Sequence, residues 1–281
     1  MSPQGQSETG SRRKRPGRQL PTSREMITAD VVRTSRLSPS LVGVTISGPQ
    51  LARYRYVGDD QMFRFFFRRP GQQELRMPSW SHDGWLAQWL LMAPSTRPHV
   101  RLYTARAFRP ETLELDIEFV AHGDTSPGSG WALSAKPGET VGIFDEGTTY
   151  APPPGSGRQL LVGDESALPA ILAILEQAPR DLEAQVFLEV PHAGDVRDVR
   201  VPAGVTMHWL PREDEHAVPG RLALQTLSET VRPRDRPAYA FIAGESGLAT
   251  GARRFLVNEV GMPKTDITFQ GYWKHGKASP G

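Results

Sequence analysis

Two stretches decide how this chain folds: Arg101-Leu102-Tyr103-Thr104-Ala105-Arg106 and, further on, Gly163-Asp164-Glu165-Ser166-Ala167-Leu168-Pro169-Ala170. The first sets two guanidinium groups, a phenol and a hydroxyl on a β-like segment. Arg101 can grip a phosphate with paired N–H bonds, Tyr103 offers its ring face to a planar group, and Thr104 can hydrogen-bond a ring nitrogen. The second is a strand-to-helix turn in which Gly163 lets the chain reverse after Val162, while Asp164, Glu165 and Ser166 supply capping groups. In this order they predict a site for an electron-carrying aromatic cofactor with a phosphate tail, fed from a dinucleotide site.

Working outward, residues 29–33, 41–46, 62–67 and 113–120 cluster or alternate β-branched and aromatic side chains, with Pro and Gly between them. That spacing predicts an antiparallel barrel. Leu113-Glu114-Leu115-Asp116-Ile117-Glu118-Phe119-Val120 alternates strictly, so one face is buried and the other wet. Gly128-Ser129-Gly130-Trp131-Ala132-Leu133 reads as a glycine-rich turn opening a short helix, closed by Lys136-Pro137-Gly138-Glu139. Residues 151–157, Ala-Pro-Pro-Pro-Gly-Ser-Gly, differ in composition from both flanks and read as a linker. Strands at 159–162, 184–190, 206–210, 238–243 and 266–270 then alternate with helices near 167–177, 223–229 and 248–260. Such alternation implies a parallel sheet wrapped by helices. The expected organisation is a leader over 1–24, a barrel domain over 25–151 and an α/β domain over 157–281.

At 281 residues and 38% hydrophobic, the chain can bury two ordinary cores. No apolar run approaches the roughly 20 residues of a bilayer crossing. No apolar segment follows the basic start, so a secretory signal is not expected and the cytoplasm is the expected location. The absence of cysteine excludes thiolate-held iron-sulfur clusters and CxxC redox chemistry, leaving electron transfer to an organic cofactor. The seven histidines show no metal-ligand spacing, and no metal is expected. Arg12, Arg13, Lys14, Arg15 and Arg18 crowd a Ser/Gly/Gln/Pro-rich leader that reads as disordered; lacking interleaved aromatics, it predicts no nucleic-acid partner.

Ala243-Gly244-Glu245-Ser246-Gly247 is a second strand-to-helix turn. A parallel sheet binds ligands beyond the carboxyl ends of its strands, where helix amino termini present free N–H groups. The two turns therefore line one crevice, or are ordinary capped glycine turns. Lys274, His275 and Lys277 form either a basic lip for an anionic substrate or a solvated face.

This ordered set resembles the siderophore-interacting protein family, flavin-dependent ferric-siderophore reductases of the ferredoxin-NADP reductase superfamily. The resemblance runs from about Arg24 to Gly276. It rests on Arg101-x-Tyr103-Thr104-x-Arg106, Asp116 through His122-Gly123, Ser129-x-Trp131-Ala132, Pro137-Gly138-Glu139, the turns at Gly163 and Gly244, and Gly271-Tyr272-Trp273-Lys274-x-Gly276. It implies a six-stranded antiparallel barrel holding FAD, followed by a parallel-sheet α/β domain for NADPH or NADH. Tyr103 and Thr104 are the implied catalytic pair. Arg101, Arg106, His122, Gly123, Gly128, Ser129 and Trp131 are the implied flavin-side residues, with Ser129 and Trp131 at the pyrophosphate turn. Gly163, Asp164, Glu165, Ser166, Ala167, Gly244 and Glu245 would face the nicotinamide dinucleotide, and Arg212 its adenosine-side phosphate, which tilts the expectation toward NADPH. The implied substrate is a ferric siderophore, with Lys274, His275 and Lys277 meeting it.

The chain departs from the family at Ser126-Pro127-Gly128-Ser129-Gly130-Trp131, where the first glycine of the phosphate turn is lost. It departs again at Phe144-Asp145-Glu146-Gly147, which replaces an expected turn with two carboxylates. Other readings are a general NAD(P)H:flavin or quinone reductase, a cofactor-free binding module on the same fold, and a flavoprotein reduced by a ferredoxin.

Overall fold

The computed structural model describes residues 18–22, 24–80, 84–121, 126–214 and 216–277. The first half is one antiparallel sheet of β1 (Met26–Ser38), β2 (Leu41–Ser47), β3 (Met62–Phe67), β4 (His99–Thr104), β5 (Ala107–Arg109), β6 (Glu114–Val120) and β7 (Thr140–Gly147). Their order is β4-β3-β7-β1-β2-β6-β5. The two ends of that order are consecutive in the chain, separated only by Ala105 and Arg106. β4 pairs with β3 and β5 with β6, so one bent segment closes the sheet into a six-membered barrel.

The barrel interior is aromatic. Phe63, Phe65, Phe67, Phe119 and Trp131 are buried together, with Val31, Val44, Ile117 and Ile143. β6 alternates buried and half-buried residues along its whole length, as its sequence requires. Two helices attend the barrel. α1 (Trp85–Leu91) buries Trp85 and Trp89 against Phe66, Val100 and Phe144 on the outer wall, and α2 (Pro127–Ser134) carries Trp131 into the interior.

Phe144-Asp145-Glu146-Gly147, which stands where the family resemblance expects a turn, is part of β7, paired with β1 and β3. Both carboxylates are buried and engaged. Asp145 accepts from Gln61 Nε2 at 2.8 Å and from the Gly147 amide at 2.7 Å. Glu146 meets Arg18 at 2.6 Å, Arg64 at 2.8 Å and Arg24 at 3.6 Å. Arg18 and Gln19 lie in the segment read as leader, yet Gln19 bridges Thr148 and packs along β7.

The second half is a parallel sheet of β8 (Gln159–Gly163), β9 (Ala184–Val190), β10 (Val205–Pro211), β11 (Tyr239–Glu245) and β12 (Ile267–Trp273), in the order β10-β9-β8-β11-β12. α3 (Leu168–Gln177) packs on one face, and α4 (Arg221–Thr230) and α5 (Ser246–Asn258) on the other. The strand order reverses between β8 and β11, the point at which doubly wound sheets open a ligand crevice.

Candidate functional site

On β4, His99, Arg101 and Tyr103 share a face because a strand alternates its side chains. Their cross-strand partners Phe67, Phe65 and Phe63 belong to the barrel core, so this face lines the barrel interior. Tyr103 is half-buried. Its ring lies 4.3 Å from that of Phe119, tilted by 49°, and meets Phe65 edge-on at 5.8 Å. Its hydroxyl points at Gly128, where any Cβ would overlap it, so glycine is required there for the approach. Gly128 and Ser129 form the first turn of α2, with Ser126 capping the Ser129 amide at 3.2 Å. Tyr103, Gly128 and Ser129 thus meet at the amino-terminal turn of α2, with Arg101 two residues along the same face of β4.

The remaining barrel candidates lie elsewhere. Trp131 is a core residue, 4.9 Å from Phe65 and donating Nε1 to Glu139 at 3.0 Å. Thr104 is buried on the opposite face of β4. Arg106 sits between the domains, bound to Glu176 of α3 at 2.5 Å and close to Glu118 of β6 at 3.2 Å. His122 and Gly123 lie outside the described residues.

The turns after β8 and β11 are neighbours. Gly163 pairs with Ala243, and the Glu245 amide donates to Asp164 at 2.6 Å. Asp164 also accepts from the Ser166 amide at 2.9 Å and its hydroxyl at 2.5 Å, and the Ala167 amide bonds the Asp164 carbonyl at 2.9 Å. Gly244 has φ of +128°, and a Cβ there would press the Asp164 carboxylate at 2.7 Å. Glu245 caps α5 through the Gly247 and Leu248 amides and also accepts from the His275 amide at 3.1 Å. Arg212, at the end of β10, is held by Glu165 through bonds of 2.7 and 2.8 Å and by Glu189 at 3.2 Å. Lys274, His275 and Lys277 form an exposed turn just beyond β12. Beside it, the Tyr272 hydroxyl and the Trp273 indole nitrogen are buried without a hydrogen-bond partner.

Comparison with known proteins settles the lineage. A family model described as siderophore-interacting FAD-binding domain matches residues 30–149, and one described as siderophore-interacting protein matches 157–276. The ferric vibriobactin reductase ViuB of Vibrio cholerae is 34% identical over 248 residues, which are 88% of this chain and 89% of that protein. The chain belongs to the siderophore-interacting protein family. Its structure superposes on a siderophore utilization protein from T. fusca with TM-score 0.80 at 30% identity, covering 93% of this chain and 97% of the other. On SipS from Aeromonas hydrophila the TM-score is 0.75 at 32% identity, covering 92% and 94%.

The barrel of this siderophore-interacting protein fits the flavin that the family domain carries. Arg69 Nε and His99 Nδ1 are buried at the same mouth without partners, and burial and Arg69 lower the pKa of Arg101. Two guanidinium groups that raise each other's cost of charge favour an anion at this mouth. Sequence reading missed Arg69 and His99, although the two-residue spacing of His99 from Arg101 was a signal that they share a strand face.

Buried acidic groups in both halves of the chain set a pH dependence. Burial, reinforced by Glu165, pushes the Asp164 carboxyl up to about 7. Burial likewise lifts Asp59 and Asp145 to about 6 and raises Asp60 and Glu189. Such groups bind protons in the folded chain at pH values where the unfolded chain has lost them, so folding weakens as pH rises through the folded values. His99, lowered to about 4 by burial and by its arginine neighbours, acts in the opposite sense but is one group against five. The thermal midpoint of the flavin-free protein is therefore expected to fall between pH 5 and pH 8. A midpoint that climbs steadily over that range in calorimetric scans would contradict the assignment.

Proposed function

We propose that this chain is an FAD-dependent reductase that draws hydride from NADPH or NADH and delivers single electrons to ferric iron held by a siderophore. The observation that carries the reading is the juxtaposition of two sites in a siderophore-interacting protein. Arg101 and Tyr103 of the barrel mouth lie on the same β4 that ends at Thr104, and two residues on Arg106 is bonded at 2.5 Å to Glu176 of α3, the helix that follows the Gly163 turn. The Ala105 amide donates to the Gln61 carbonyl at 2.8 Å, and the adjacent Asp60 accepts from the Thr149 and Tyr150 amides at 2.9 Å, where the chain leaves the barrel.

Bound FAD would couple a two-electron donor to a one-electron acceptor. Arg101 and the first turn of α2 would hold its diphosphate, and Tyr103, braced by Phe119 and Phe65, would fix the plane of its ring. One NAD(P)H reduces two ferric ions, giving NAD(P)+, two ferrous ions and one proton. Oxygen donors hold hard iron(III) tightly and iron(II) far less, so the electron itself releases the metal and the protein needs no iron ligand. Lys274, His275 and Lys277 give an anionic ferric complex a basic approach beside Trp273.

One observation favours a second reading for the donor alone. The α5 amides are already capped by Glu245 and Arg212 is paired with two carboxylates, so dinucleotide phosphates would compete with acidic groups. A ferredoxin would bypass that competition. The deciding experiment is anaerobic addition of NADPH, and separately NADH, to the FAD-loaded protein, followed by a ferric siderophore. Bleaching of the flavin by a nicotinamide and its return with formation of ferrous iron is the expected sequence. Failure of both nicotinamides with reduction by ferredoxin selects the second donor, and reoxidation by quinones but not by the ferric complex defeats the siderophore reading.

A further inference from the structure

We infer that the outward face of α1, with the arginines around it, is a docking surface for an anionic lipid bilayer, on which this chain lies as a peripheral protein. The inference stands apart from the flavin and donor readings, because it uses no residue of the barrel mouth or of the crevice.

The helix is apolar on the side where a surface helix is usually polar. From Gly84 to Thr96 the chain holds no ionisable side chain. Trp85 and Trp89 turn inward onto Phe66, Val100 and Phe144. Leu86 and Leu90, one turn apart, are 47% and 55% exposed, and Leu91 is 85% exposed. Gln88, the one hydrophilic residue of the helix, is spent on its neighbours. It accepts from the Ser79 and Trp80 amides at 2.9 and 3.0 Å and donates to the Ser79 hydroxyl at 2.9 Å. This pins the Trp80 backbone to the helix, and Trp80 is itself 47% exposed. Single exposed leucines are ordinary, but three of them with a tryptophan on one short stretch form a patch. A helix of this length spans about 10 Å, so it lies in a bilayer surface and does not cross it.

A rim of arginines surrounds the patch. The Arg64 guanidinium sits over the Trp85 ring at 5.9 Å, that of Arg97 over Trp89 at 5.2 Å, and that of Arg24 over Phe144 at 4.9 Å. Arg76 is exposed between Leu75 and Met77, which pack on the same aromatic cluster. Arg18, Arg24 and Arg64 share the carboxylate of Glu146. Of the other acids on these segments, Glu25 is paired with Arg53, leaving Glu74 and, in the sequence, Asp83. Arg12, Arg13, Lys14 and Arg15 precede Arg18 and add to the positive side. Apolar side chains ringed by arginines match the boundary between acyl chains and anionic headgroups. The segments outside the described residues offer nothing to cover the leucines, since 1–17, 23, 81–83, 122–125, 215 and 278–281 hold no large apolar side chain besides Met1. A second copy would bring an identical arginine rim against this one, because a two-fold interface sets the same patch on both partners. An anionic lipid surface complements the leucines and the rim together.

The test sediments the full chain with vesicles of phosphatidylcholine, and of phosphatidylcholine carrying about 30% phosphatidylglycerol. The wild type is expected to bind the anionic vesicles about tenfold or more tightly than the neutral ones, and to be released as salt rises from about 0.1 to 0.5 M. Leu90→Ser/Leu91→Ser should weaken anionic binding about tenfold and Arg76→Gln about fivefold, equivalent to about 1.4 and about 1 kcal/mol. These side chains face water, so both variants should keep the wild-type thermal midpoint within about 2 °C. Equal binding to both lipids, no binding to the anionic vesicles, or binding that the leucine variant leaves undiminished overturns the inference. Failure to bind, together with a concentration-dependent dimer that Leu90→Ser/Leu91→Ser dissolves, assigns the face to a second copy instead.

Discussion

Arg101→Ala is expected to purify as a folded protein without flavin, its FAD affinity lowered about a hundredfold. Hydrogen bonds to charged groups contribute about 1.5–3 kcal/mol each, and a guanidinium placed on a phosphate supplies two in a fixed fork. Losing both corresponds to a factor of about a hundred or more. The fold should tolerate the change, because Arg101 is a half-buried cation whose charge is disfavoured by desolvation and by Arg69. Truncation removes that repulsion, so the thermal midpoint of the flavin-free variant should match or exceed that of the wild type. Arg101→Lys keeps the charge and loses the fork, and should fall between the two. The visible spectrum of the purified variant and a FAD titration decide it. Native flavin content in Arg101→Ala would place the cofactor somewhere other than the mouth formed by β4 and α2.

How much of this was legible in the sequence depends on whether the deciding partner is near in the chain. The strands at 62–67 and 184–190 were readable end to end, because runs such as Met-Phe-Arg-Phe-Phe-Phe admit little else. The strict alternation around Ile117 also carried through to burial. β7 was not legible. Its Asp145 and Glu146 look like turn residues, and only Gln61, Arg18, Arg24 and Arg64, all distant in sequence, make their burial in a strand affordable. Leu86, Leu90 and Leu91 face solvent from α1, which blurs the helical period that would have announced it.

The site divides the same way. The types and spacing of Arg101, Tyr103 and the two glycine turns could be read directly. Arg106 and Arg212 carry the same guanidinium, but their nearest carboxylates, Glu176 and Glu165, lie 70 and 47 residues away in the chain and occupy them. Residue type thus nominates a phosphate ligand, whereas capture by a carboxylate distant in the chain is a property of the fold.

Asp60→Ala is expected to cost about 3–5 kcal/mol of stability, the range for stripping the partner from a buried charged network. Asp60 is fully buried at the turn before β3. Its carboxylate accepts from the Thr149 amide at 2.9 Å, the Tyr150 amide at 2.9 Å and the Thr149 hydroxyl. Alanine would leave these donors facing an apolar gap. The site matters because Thr149 and Tyr150 lead from the barrel into the second domain, and the chain there is bonded in series. Tyr150 donates to Gln159 at 2.6 Å, the Ala151 amide to Tyr239 at 2.9 Å, and Tyr239 to Thr268 at 2.8 Å. These bonds join the barrel exit to β8 and β11, which carry the two crevice turns, and to β12 beside them. Releasing Asp60 should therefore loosen the approach of the barrel mouth to the crevice as well as the fold. At ~2–4 °C per kcal/mol for a chain of this size, the thermal midpoint should drop by roughly 6–20 °C. Asp60→Asn keeps one acceptor oxygen and should recover part of the loss. A midpoint within about 2 °C of wild type for Asp60→Ala would mean that the remaining bonds, among them Tyr150–Gln159 and Arg106–Glu176, hold the connection without Asp60.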